Sequence, residues 1–250
     1  MILDDVAHAE MCIETGHIDK APTDTMKCLT KYYRHKGLGK VRIKRKIIEF
    51  FEENMQGFIL THWDKTITRI VNRYSNDKYS PVYVKTVHIT QKELDSITYL
   101  KNNKLEYLSF ILLVYCKVWN QINPKNNNWV NMPFRDYFKA ANVEEKLIDQ
   151  GYVIHELVKS NIATYSNQYG NLSLNINIVN DNSPTAITIT DFDNAILYYH
   201  RYKGERILDC NCGSLFKPNS NRQKYCPSCA RENDLAKKRR YARKVKTLDR

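Results

Sequence analysis

Four cysteines fall within twenty residues near the end of the chain, in CNCGSLFKPNSNRQKYCPSCARE: Cys210 and Cys212 form one pair, Cys226 and Cys229 a second. Zinc takes four soft ligands placed tetrahedrally at about 2.3 Å, and two tight turns that each supply a thiolate pair meet that demand with little ordering cost. Gly213 suits the backbone angles that follow such a turn. Pro227 suits a first helical turn, which puts Cys229 in that turn with ARENDLAKKRRYARK continuing the helix. The expected module is a zinc ribbon or treble clef with Phe216 and Tyr225 as a very small apolar core. So small a core leaves the metal to hold the module, and structural zinc in such peptides contributes about 10–16 kcal/mol. The first pair has one intervening residue where most knuckles use two, which leaves Asp209 open as a substitute for one sulfur. Free thiols in a flexible tail are the alternative.

The other three cysteines, Cys12, Cys28 and Cys116, stand alone in helix-like or apolar surroundings and suit buried free thiols. In a reducing compartment the clustered four favour metal over disulfide. The first twenty residues carry acids and no apolar core segment, unlike a secretory signal. The longest apolar run, residues 110–115, is too short to span a bilayer. A soluble, cytoplasmic protein is expected.

The stretch NCGSLFKPNSNRQKYCPSCARE, with the preceding TITDFDNAILYYHRYKGE, resembles the C-terminal part of uncharacterised proteins from phages and mobile elements of AT-rich Firmicutes. The resemblance covers roughly residues 129–238 and rests on the ending "CG … NRQKYC xx CA" after a helical body. It implies a mobile-element origin and metal binding, with no established activity. The single-residue spacing of the first pair departs from the usual pattern.

Charge is distributed unevenly. The last 50 residues hold 15 Lys/Arg and 5 Asp/Glu, a net of +10 out of the +12 of the whole chain. Four thiolates around one zinc dication contribute about −2, so the tail keeps roughly +8. A helix with cations on every face is no amphipathic core helix, and Tyr241, Val245 and Leu248 offer too little apolar contact for a membrane surface. Nucleic acid is the expected partner, DNA ahead of RNA. The candidate contacts are Arg222, Lys224, Arg231, Lys237, Lys238, Arg239, Arg240, Arg243, Lys244 and Lys246. A second basic run, residues 27–46, has nine Lys/Arg and no acid; it reads as a solvated helix face, with a phosphate-contacting surface as the lesser reading.

The fold class expected is α+β: a mainly helical body with a winged-helix-like subdomain, then the zinc module and basic helix. The divisions are 1–103, 104–203 and 204–250. Helices are expected at 25–35 and 44–55, broken at Gly37 and Gly39, and a strand from Val82 in VYVKTVHIT, where Thr90 and Glu93 cap the next helix. Residues 104–121 form the most apolar helix candidate. A short strand at 129–132, a short helix, a longer helix at 144–160 and two strands follow in winged-helix order, then a strand from Ala186 and a helix at 193–202. The recognition-helix position holds Glu144, Glu145, Asp149 and Glu156 against Lys146 and Lys159, which repels a duplex backbone. That segment therefore reads as packing or protein contact.

The chain lacks phosphate-loop and dinucleotide signatures, and His155-Glu156 has no second histidine for a metalloprotease pair. A zinc with four thiolates has no open position. His62 with Asp64, and His200 near Asp191 and Asp193, are conceivable acid/base pairs of a kind more often structural. The expectation is a non-enzymatic nucleic-acid-binding protein. The competing reading is an inhibitor or adaptor that binds a host protein complex through residues 144–193, where seven acids face two bases.

Overall fold

A computed structural model describes residues 3–168 and 172–248, with side chains up to Arg239. It divides into two units, Met1–Lys85 and Thr86–Arg250.

The first unit is helical. α1 (Asp5–Thr15) starts where the Asp4 carboxylate accepts the backbone N–H groups of Val6 and Ala7. It stops at Gly16, whose φ of +69° favours glycine and whose missing Cβ leaves room for the Asn54 side chain. α2 (Pro22–His35) and α3 (Lys40–Asn54) are the two helices expected on either side of Gly37 and Gly39. α4 (Leu60–Tyr74) closes the bundle, and Met26, Leu29, Ile43, Ile47, Phe51 and Ile67 are fully buried in its core. The basic run of residues 27–46 is largely neutralised: seven of its nine cations pair with carboxylates, four of them (Lys31, Arg34, Lys36 and Lys44) with Asp5, Asp77, Glu10 and Asp64 outside the run's own helices.

The segment VYVKTVHIT does not form one strand. Its first half serves the first unit: Val82 carbonyl oxygen accepts from Asp5 N–H (2.9 Å), and Val84 N–H donates to Leu3 (2.8 Å). Only its second half is a strand, β1 (Val87–Thr90), in the second unit. Alternation marks which residues are half-buried but not which partner buries them.

In the second unit α5 (Gln91–Thr98) begins where Glu93 Oε2 accepts Thr90 N–H at 2.8 Å, the expected reach-back. α6 (Asn103–Ile122) is the central helix, with residues 108–114 all buried. An asparagine turn ends it, in which Asn127 and Asn128 hold positive φ and Asn120 bonds Asn126 and Asn128. β2 (Trp129–Val130), α7 (Phe134–Ala140), α8 (Leu147–Lys159), β3 (Ala163–Tyr165) and β4 (Leu174–Ile176) follow, and the strands form an antiparallel sheet in the order β2–β4–β3. β5 (Thr185–Ile189) returns to pair antiparallel with β1, Val87 opposite Ile189. α9 (Ala195–Tyr202) packs on α6, where Tyr199 donates its hydroxyl proton to the buried Glu106 (2.8 Å) beside Lys203 (2.9 Å). The chain ends in a hairpin of β6 (Leu208–Asp209) and β7 (Leu215–Phe216) and in α10 (Pro227–Leu248). The body is thus mainly helical with small sheets.

Candidate metal centre

The hairpin is the frame of the first cysteine pair. Leu208 pairs with Phe216 and Asp209 with Leu215, and between the strands Gly213 N–H donates to Cys210 carbonyl oxygen (2.8 Å) while Cys210 N–H donates to Ser214 (2.9 Å). This tight turn puts both sulfurs at the hairpin tip. Gly213 has φ of +87°, where side chains are strained, although the space around it is open. Cys226 lies just before Pro227, and its carbonyl oxygen accepts Ala230 N–H (2.9 Å), so Cys229 sits in the first turn of α10 as expected. A helix N-terminus favours negative sulfur.

The four sulfurs of Cys210, Cys212, Cys226 and Cys229 all lie within 4.8 Å of one another. Those of Cys212 and Cys226 are 3.7 Å apart, against about 3.8 Å for the edge of a tetrahedron of sulfurs 2.3 Å from a zinc ion. Cys226 N–H points at Cys210 Sγ (3.3 Å) and Cys229 N–H at Cys226 Sγ (3.5 Å). Backbone N–H groups of Cys212 and Cys226 pull the Cys210 thiol down to about 6, and Ser214 N–H lowers Cys212. Cys229 is pushed up, because its proton is shared with the sulfurs of Cys212 and Cys226. Four sulfurs this close hold one another's protons, and a dication is the species that displaces them. The cluster could hold a metal ion such as zinc. Asp209 is not part of it: its carboxylate accepts from Arg201 Nη2 at 3.0 Å, so the single-residue spacing is met by sulfur alone.

The apolar support is Phe216 and Leu208 packed with the buried Cys210 and Cys226. Tyr225, expected there, is 41% exposed; Gln223 Nε2 donates to its carbonyl oxygen in the turn before Cys226, and the partner of Phe216 comes from across the hairpin instead. The module is fixed to the rest of its unit by polar contacts: Asp191 Oδ2 accepts Leu215 N–H (3.1 Å), and Glu205 accepts from Lys217 (2.6 Å) and His200 (2.6 Å). Sequence reading placed Asp191 beside His200 as a conceivable acid/base pair. The structure gives Asp191 to the hairpin and His200 to Glu205, while Asp64 pairs with Lys44 (2.7 Å).

Of the cations expected to meet phosphate, Arg222, Lys224, Arg231, Lys237, Lys238 and Arg239 are exposed. Lys237 alone of these approaches a carboxylate, Asp234 at 3.9 Å, among the described residues. Arg240, Arg243, Lys244 and Lys246 belong to α10, but their side chains lie outside the described residues. No described helix is long and apolar enough to cross a membrane. Comparison with protein-family models, with curated proteins and with solved structures finds no match for this chain.

Proposed function

We propose that this is a non-enzymatic nucleic-acid-binding protein of a mobile element, in which zinc held by Cys210, Cys212, Cys226 and Cys229 orders a treble clef and α10 carries cations to the phosphate backbone of DNA. The observation that supports it best is that Cys229 lies in the first turn of α10. A metal there fixes the root of a helix that has no acid between Asp234 and Asp249 and whose Lys237, Lys238 and Arg239 are exposed. Neutralising phosphates is the main source of sequence-independent affinity.

Replacing Lys237, Lys238, Arg239 and Arg240 with alanine removes four candidate contacts and spares the cysteines. On duplex DNA each contact contributes about 0.9 to the salt slope, so the slope becomes shallower by roughly 3–4 units, alike on unrelated sequences. An unchanged slope defeats the proposal.

Within the body, helix–strand–helix–helix–strand–strand with sheet order β2–β4–β3 supports a winged helix, in which α8 takes the recognition position. Its setting argues against DNA reading: Lys104 and Lys159 are already paired with Glu145 and Glu156. Leu147, Ile148 and Tyr152 on α8 are 77%, 76% and 71% exposed, which favours a second reading, contact with a host protein. If that contact is the function, Leu147→Lys with Tyr152→Lys abolishes it in nuclease-treated lysate while the tail variant does not.

A further inference from the structure

A second cluster of metal-ligating groups lies in the first unit, far along the sequence from the cysteine module. His8 and Cys12 are one helical turn apart on α1, on one face of the helix. The left-handed turn at Gly16 then reverses the chain, and Asp19 comes back against that face. His8 Nε2 lies 3.0 Å from Asp19 Oδ2, and the ligating atoms of His8, Cys12 and Asp19 are all within 4.8 Å of one another. His17 Nε2 lies 3.8 Å from the other carboxylate oxygen, Asp19 Oδ1. Cys12 is fully buried, His8 and Asp19 are partly buried, and His17 is half-exposed, so the donors are graded from core to solvent.

We infer that His8, Cys12 and Asp19 form a second, three-residue metal site for a zinc-class divalent ion, whose fourth position is left to water; His17 lies outside the group of three. Imidazole, thiolate and carboxylate together suit zinc or cobalt, whereas calcium and magnesium take oxygen ligands alone. Bonds of about 2.0–2.3 Å to a tetrahedral ion need donors roughly 3.3–3.8 Å apart, a change of roughly an ångström from the separations among His8, Cys12 and Asp19. The carboxylate is already oriented. Thr25, itself fully buried, donates its hydroxyl proton to Asp19 Oδ2 (2.7 Å) and accepts Asp19 N–H (2.9 Å). Such an outer hydrogen bond fixes a ligand's orientation. Asp24 and Lys27, on the same first turns of α2 as Thr25, pair with each other, and Lys31 with Asp5, so neither cation neutralises Asp19.

The test is cobalt titration of the full, tag-free, reduced chain, followed by visible absorption and native mass spectrometry. Two equivalents are expected, one with the intense sulfur-to-cobalt band of four thiolates and one with the weaker band of a single thiolate. Cys226→Ser removes the first and leaves the second. In that background His8→Gln, at a partly exposed position, abolishes the remaining equivalent, and Thr25→Val weakens it about 10–100-fold. Circular dichroism confirms that each variant is folded. A wild-type chain that never shows the single-thiolate equivalent overturns the inference, as does a second equivalent that persists in folded His8→Gln or shows no thiolate band. Neither result depends on whether α10 binds nucleic acid.

Discussion

Replacing Lys117 with methionine strands a buried carboxylate. Lys117 Nζ lies 2.8 Å from Glu93 Oε1, 2.8 Å from Asp181 Oδ1 and 2.8 Å from the His88 carbonyl oxygen. The Glu93 side chain is completely buried, whereas Asp181 is mostly exposed. The Asp181 pair, open to water, contributes about 0–1 kcal/mol. Removing the cation beside Glu93 leaves an uncompensated charge whose cost is about 3–5 kcal/mol, reduced where backbone donors remain. Two do remain, the N–H groups of Thr90 and Asn180, both at 2.8 Å, which places the expected loss near the lower end, about 3 kcal/mol. The double variant Glu93→Gln/Lys117→Met removes both charges and keeps an acceptor for one of those N–H groups, so it loses less than the sum of the single variants. Urea unfolding of the full chain with the four proteins of the cycle measures this. A Lys117→Met loss below about 1 kcal/mol, or simple additivity, refutes the reasoning.

Gly213→Ala adds no clash but forces alanine to φ of +87°, a cost of about 1–2 kcal/mol; on the proposed function, competition with a zinc chelator then shows zinc dissociation rising about five- to thirty-fold. Glu205 is held below the ordinary carboxylate range, first by its hydrogen bond from Lys217 and then by His200. Its contribution is therefore present above its unfolded value of 4.5 and disappears as pH falls through the lower folded value. Glu205→Gln loses up to about 1 kcal/mol at pH 7 and progressively less as pH falls below 4.5 in urea titrations, and the opposite trend rejects the pairing.

The parts of the fold that local chemistry dictates were legible in the sequence. Residues 104–121 could be placed as a buried helix because their apolar residues leave no solvent face, and Glu93 as a helix cap because its partner, Thr90 N–H, is three residues away. The helices on either side of Gly37 and Gly39 were visible for the same reason. What depends on distant partners was not legible. β1 pairs with β5 about a hundred residues later, and the preceding half of the same alternating segment pairs with residues 3–5. Nothing in VYVKTVHIT separates the two. At the metal centre the four cysteines could be grouped by spacing, but the companion of Phe216 was assigned to Tyr225, the nearest aromatic. It is Leu208, because hairpin register decides contact across the tip. His8, Cys12 and Asp19 escaped notice because their convergence requires the chain reversal at Gly16, which a helix pattern alone does not announce.

The placement of the cysteines also separates order from charge in the basic tail. Two of the four sulfurs belong to the hairpin and two to the root of α10, so a metal held by all four would bridge the pieces, while every candidate phosphate contact from Lys237 onward lies at least two helical turns beyond Cys229. Losing the metal frees the direction of α10 and leaves its cations in place. Losing the cations leaves the direction intact. On the proposed function, Cys226→Ser keeps most of the salt slope, because the phosphate contacts are still available, but it weakens binding at every salt concentration by the entropy of orienting a loose helix. The tetra-alanine variant has the converse signature, a shallower slope with zinc fully retained. A Cys226→Ser protein whose slope collapses while the tail variant keeps its own would place the contacts in the segment between β7 and α10, around Arg222 and Lys224, rather than on the helix.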